Sequence, residues 1–144
     1  MISLMVPSET QRPGPGASNL FRAMKQDPDG LPRVGRSSRE LGVRVEGPTR
    51  DLPVADDGTV EPQTGGMSVA LDEARNLPKP RLPKNLGGEG RDPVFRMAGP
   101  ELPSVLSLRA DHYPHALVEP RLRCLLREFE SGLKATRPSW SIVS

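Results

Sequence analysis

Proline and glycine interrupt this chain so often that long helices and long central strands are excluded over most of its length. There are 17 prolines and 14 glycines among 144 residues, with no collagen-like period. Proline lacks the N–H that helix interiors and central strands need, and glycine loses the most backbone freedom on ordering. Hydrophobic residues make up 35% and aromatic residues 3%, both below ordinary globular usage. The pattern predicts one modest domain with a small core and long irregular connections. Lys and Arg number 20 against 18 for Asp and Glu. That balance gives no general argument for nucleic acid, yet leaves room for a groove that takes an anionic small molecule. The single cysteine, Cys124, excludes an intrachain disulfide and a multi-cysteine metal site. No run reaches the length of a membrane span. The apolar start at residues 1–6 has no basic region before it and is a poor signal peptide.

Residues 1–18, with Pro13-Gly14-Pro15-Gly16, predict a flexible N-terminal arm, and residues 19–144 a single folded domain. Residues 19–24 read as a short strand. Alternation puts Phe21 and Ala23 on one face and Leu20, Arg22 and Met24 on the other. Arg22 then shares a face with apolar side chains. Either it snorkels at a sheet edge, or its planar fork of donors reaches a cleft and suits phosphate or carboxylate. Residues 37–42 read as one helical turn, residues 41–45 as a brief strand, and Asp56-Asp57-Gly58 as an exposed corner. In residues 63–72 the pair Gly65-Gly66 stops one segment, and an apolar run containing Ser68 follows. Amides and a hydroxyl at such a turn can hold a phosphate, a ribose or a carboxamide; a turn that merely joins two strands has the same pattern. The proline- and lysine-rich residues 76–84 read as extended or polyproline II, either bound by a partner or crossing one face of the fold. Further strands are expected at residues 93–97, 102–109 and 115–119. Pro120 then opens a helix to about residue 134, with Leu122, Leu125, Leu126, Phe129 and Leu133 at helical spacing. Cys124 falls near that stripe as buried filler, and Trp140 pins the tail.

Chemistry concentrates on Arg22, Ser68, His115 and Glu119. Glu119 ends an apolar strand. A carboxylate there can stabilise the oxocarbenium ion of glycosidic cleavage, or simply place negative charge at the start of the helix. His112 and His115 stand three apart and offer an acid–base pair, although Pro114 between them breaks helical spacing. No carboxylate-and-cysteine set accompanies them, so no metal site is expected.

At these residues the chain resembles the Tse2 family of type VI secreted bacterial toxins. The matching pieces are Leu20-Phe21-Arg22-Ala23, then Gly65-Gly66-Met67-Ser68-Val69 with Asp72, then residues 103–108. His115-Ala116-Leu117-Val118-Glu119-Pro120 ahead of an amphipathic helix completes the order. The resemblance spans roughly residues 19–133 and rests on the order of the pieces. It implies an α+β, ADP-ribosyltransferase-like fold: two small antiparallel sheets around a cleft, with flanking helices. It implies NAD as cofactor, bound by Arg22, Gly65, Gly66, Met67 and Ser68, with Ser68, His115 and Glu119 in the chemistry. Met67 stands where the family can carry threonine, and not every such toxin has glutamate at the Glu119 position. The implied setting is a monomer made in the producer's cytoplasm, exported by a secretion system into a target cell, and neutralised at its cleft by a cognate immunity protein. The rival class is a non-enzymatic interaction module using the proline-rich middle and the basic face. A histidine-dependent nuclease toxin using His112 or His115 is a third reading.

Overall fold

The computed structural model describes residues 18–143. Apart from Ser18, the expected N-terminal arm lies outside them. The elements are β1 (Asn19–Ala23), β2 (Thr59–Val60), β3 (Met67–Leu71), β4 (Val94–Ala98), β5 (Leu106–His112), β6 (His115–Pro120), β7 (Cys124–Leu125), α1 (Leu126–Ala135) and β8 (Ser141–Ile142). One antiparallel sheet of six strands runs in the order β5-β6-β3-β1-β4-β8, and β2 pairs with β7 in a second sheet of two. Among the described residues the domain is therefore α+β, with two antiparallel sheets and one flanking α-helix.

The alternation expected in β1 divides the core into two clusters. Leu20 and Met24 join Met67, Val69, Leu71, Phe95, Met97, Val118, Phe129 and Leu133 in the larger one. Phe21 and Ala23 join Ala70, Leu82 and Val94 in a smaller cluster on the opposite face. That second face is covered by short 3-10 turns at Ala74–Asn76, Lys79–Arg81 and Lys84–Leu86. The proline-rich segment is thus neither extended nor polyproline II throughout. Pro78 and Pro83 keep φ of −64° and −69°, which single tight turns accept as well.

Three other expectations are corrected. Residues 41–45 form no strand: Leu41 and Val43 are buried, but Leu41 makes only an isolated bridge to Val34, and the backbone after it turns partly to side chains. The Gly42 carbonyl accepts from Arg22 and the Arg44 N–H donates to Asp51. The strand expected at residues 102–109 begins only at Leu106, after a 3-10 turn at Gly99–Glu101. The last helix begins at Leu126, not Pro120. After β6 the chain detours so that Cys124–Leu125 can pair with Thr59–Val60, and the Leu126 N–H reaches the Gly58 carbonyl. Leu122 falls in that detour and is 72% exposed. Glu128 accepts a bond from the Leu125 N–H at 2.9 Å and caps the helix from inside its first turn. Trp140 is buried, its indole N–H donating to the Thr136 hydroxyl at 2.9 Å. Among the described residues no helix is long and apolar enough to cross a membrane.

The helix is held to the sheet by Phe129 and Leu133, both buried. Phe129→Ala should lower unfolding free energy by about 3–5 kcal/mol in urea denaturation. Leu122→Ala should change it by less than about 0.5 kcal/mol, since that side chain faces water. Equal losses in the two variants would contradict this packing.

Candidate active site

β1 stays paired with β4 along all five residues, yet it pairs with β3 only at Leu20↔Leu71 and Phe21↔Ala70. Beyond Phe21 the two strands part. Arg22 spans the opening, its Nη1 donating to the Ser68 carbonyl at 2.7 Å. The remaining bonds of the guanidinium run to one loop: Nε and Nη2 reach the Glu40 carbonyl at 3.1 and 2.9 Å, and Nη2 reaches Ser37 and Gly42 carbonyls at 3.3 Å. Arg22 is buried, and none of these partners is a carboxylate. Burial lowers its pKa to about 9, and nearby Arg81 pushes the same way. At neutral pH it is a buried cation held by carbonyl dipoles, and among the described residues no carboxylate is bonded to it.

A cavity of about 600 Å³ opens where the strands part. Arg22 and Ala23 come from β1, Ser68 from β3, His112 and His115 from the β5–β6 hairpin, and Arg44 and Arg81 from the loops. Arg44 is neutralised by Asp51 at 2.8 Å. Arg81 donates to the Ala23 and Ser38 carbonyls, and burial lowers its pKa too. The wall therefore carries positive charge from Arg22 and Arg81, with their bonded donors engaged by carbonyls, and such a field suits a phosphate-bearing ligand.

Arg22, Ser68 and His115 thus meet on one cavity. The other expected site residues lie outside its wall. Met67 is 1% exposed in the larger core. Gly65 and Gly66 serve close packing: a Cβ on Gly65 would meet the Asp51 carbonyl oxygen at 2.0 Å, and one on Gly66 the Val118 oxygen at 2.4 Å. Glu119 is buried, but its carboxylate accepts from Arg109 Nε and from the Gln63 N–H, both at 2.9 Å. It shares a strand with His115 and fastens the turn ahead of β3. Gln63 has φ +64° in that turn, a conformation that benefits from such a fastening.

The hairpin carries an arrangement the sequence reading did not expect. Asp111 Oδ1 lies 2.6 Å from His115 Nδ1 and 3.4 Å from His112 Nδ1. The imidazoles stack with centroids 5.0 Å apart. Burial would raise the Asp111 pKa, but the bonds from His115 and the His112 N–H outweigh it and hold the carboxyl below its ordinary value. The spacing Asp-His-x-x-His signals this cluster only if the central pair is known to be a hairpin turn. Arg44 and Arg81 also had no local signal, since Arg44 reaches the cavity from an irregular loop and Arg81 from a 3-10 turn. The chain matches no protein-family model, and neither a curated protein nor a solved structure is significantly similar to it.

The loop that holds Arg22 is itself anchored by Arg39, bound to both oxygens of Asp92 at 2.6 and 2.8 Å. That bond lowers the Asp92 pKa from its ordinary value, so its contribution is full above the unfolded value near 4 and is lost as pH falls through the folded one. Asp92→Asn should cost about 1–3 kcal/mol at pH 7. Urea denaturation should show wild type and variant converging on acidification. A gap that persists or widens below the folded pKa would contradict the pairing.

Proposed function

We propose that this protein is an NAD-dependent toxin of the ADP-ribosyltransferase-like kind, acting in the cytoplasm of a target bacterial cell, with the cavity as its NAD site. The observation that carries this reading is the meeting of Arg22, Ser68 and His115 where β1 parts from β3. Arg22 and Arg81 supply positive charge toward the diphosphate. Ser68 is exposed to the cavity, and its hydroxyl is the group for the nicotinamide ribose. His115, oriented by Asp111, is available to bond the ligand or move a proton. Glu119 supports the reading least, because an action on the ribose would require it to leave Arg109 and the Gln63 N–H. NAD binding therefore has firmer support than group transfer through Glu119. An immunity protein covering the cavity belongs to the same proposal.

The Asp111–His115 contact favours a second reading, a histidine-dependent nuclease. A carboxylate-oriented imidazole is a general-base arrangement, and arginines on the same wall suit a phosphodiester. This alternative has the more complete set of catalytic groups at one cavity, whereas the NAD reading draws on the resemblance for its third group.

Titration calorimetry with NAD, run beside assays of nicotinamide release and of RNA and DNA cleavage, separates them. Wild type should bind NAD, and Ser68→Trp should abolish binding by filling the cavity from an exposed position without disturbing the core. Arg22→Ala should weaken binding at least tenfold, about 1.4 kcal/mol. Nucleic-acid cleavage that His115→Ala abolishes, with no NAD binding in wild type, would replace this reading by the second. Capture of a macromolecule without NAD binding or turnover would support the interaction module instead.

A further inference from the structure

We infer that Asp111, His112 and His115 form a binding site for a single transition-metal dication of the zinc class, at the edge of the cavity. Their ligand atoms all lie within 4.8 Å of one another. Strict strand alternation would send Asp111 and His112 to opposite faces of β5. The pairing of β5 with β6 shifts register between Ala110 and His112, and Asp111 is the extra residue. Such a bulge re-aims a side chain, and here it turns the carboxylate onto the imidazoles. His112 and His115 are register partners across the hairpin, so they share a face and stack. The three groups are thus set by one short, paired unit of backbone, not by separate loops.

The donor set selects the ion. Two imidazoles and one carboxylate suit zinc or a neighbouring transition metal, whereas magnesium and calcium favour all-oxygen shells. Zinc sits about 2.0–2.2 Å from such donors, so a small rotation of the side chains, with the ion replacing the Asp111–His115 hydrogen bond, completes the set. Three protein ligands leave a fourth position, the arrangement of a zinc site that also takes water or a ligand. Both histidines line the cavity, so an anion bound there can reach that position. These are the only 2 histidines of the chain, which gives imidazole binding a single address. The inference does not depend on NAD being the cavity's occupant.

The test uses the full chain without a histidine tag, stripped with a chelator and titrated with Zn²⁺ by calorimetry. Binding of Co²⁺, followed by its visible absorption, reports the coordination directly. Wild type should take up one equivalent. His112→Ala, His115→Ala and Asp111→Asn should each weaken binding by roughly tenfold or more, at least the loss seen when a supporting group is removed. All three positions have solvent access, and circular dichroism verifies that the variants fold. No uptake by wild type at about 100-fold the micromolar protein concentration would overturn the site. So would unchanged uptake in the triple variant. NAD titration in the presence of chelator reads the proposed function separately, so failure of either leaves the other standing.

Discussion

A buried guanidinium bonded to carbonyls, with no carboxylate partner among the described residues, is the constraint on which the domain's central opening depends. Arg22 leaves the core face of β1 among apolar neighbours, where an unpaired cation is costly. It is tolerated because its donors are spread over carbonyls of β3 and of the loop at residues 37–42. Those bonds hold β3 near β1 after the ladder between them has stopped. The same residue therefore stands where the β1–β3 pairing stops and bridges the gap. Its charge is left to the field of the cavity, which Arg81 reinforces and Asp51 moderates.

Two further devices shape that cavity. The loop carrying the carbonyls is tied down by Arg39 to Asp92 on the segment before β4, so the position of Arg22 is linked to the far side of its own strand pair. On the opposite side, the bulge at Asp111 brings a carboxylate and two imidazoles to the rim. Positive charge deep in the cavity and titratable groups at its edge form a sensible arrangement for an anionic ligand whose reacting bond lies near the rim. Glu119 stands apart, bonded to Arg109 and to the turn at Gln63, and its evident physical role is to hold the connection into β3.

Much of the sheet was legible because period-two alternation is a strong local signal. β1, β4 and β6 fall where alternation or apolar runs put them, and β1 divides its side chains between two core clusters as expected. The failure at the last helix came from long-range pairing that overrode local pattern. Leu122 fits the helical stripe, but pairing of Cys124–Leu125 with Thr59–Val60 drew that stretch out of the helix. Arg22 and Ser68 could be singled out because a polar group inside an apolar strand stands out. Gly65 and Gly66 were ambiguous, since glycine serves ligand approach and backbone packing alike, and here Asp51 and Val118 take the space. The Asp111 cluster depends on a bulge, for which no local residue pattern was decisive.

The central claim is that the opening between β1 and β3 is an anion site governed by Arg22. Mapping amide chemical shifts of the ¹⁵N-labelled protein during titration with NAD tests it most directly. The account predicts saturable shifts concentrated at Ala23, Ser68, Ala70, Arg81 and His115, which line the cavity, with the helix face around Arg127 and Glu130 unmoved. Shifts centred on that helix face instead, or none at saturating NAD, would contradict it.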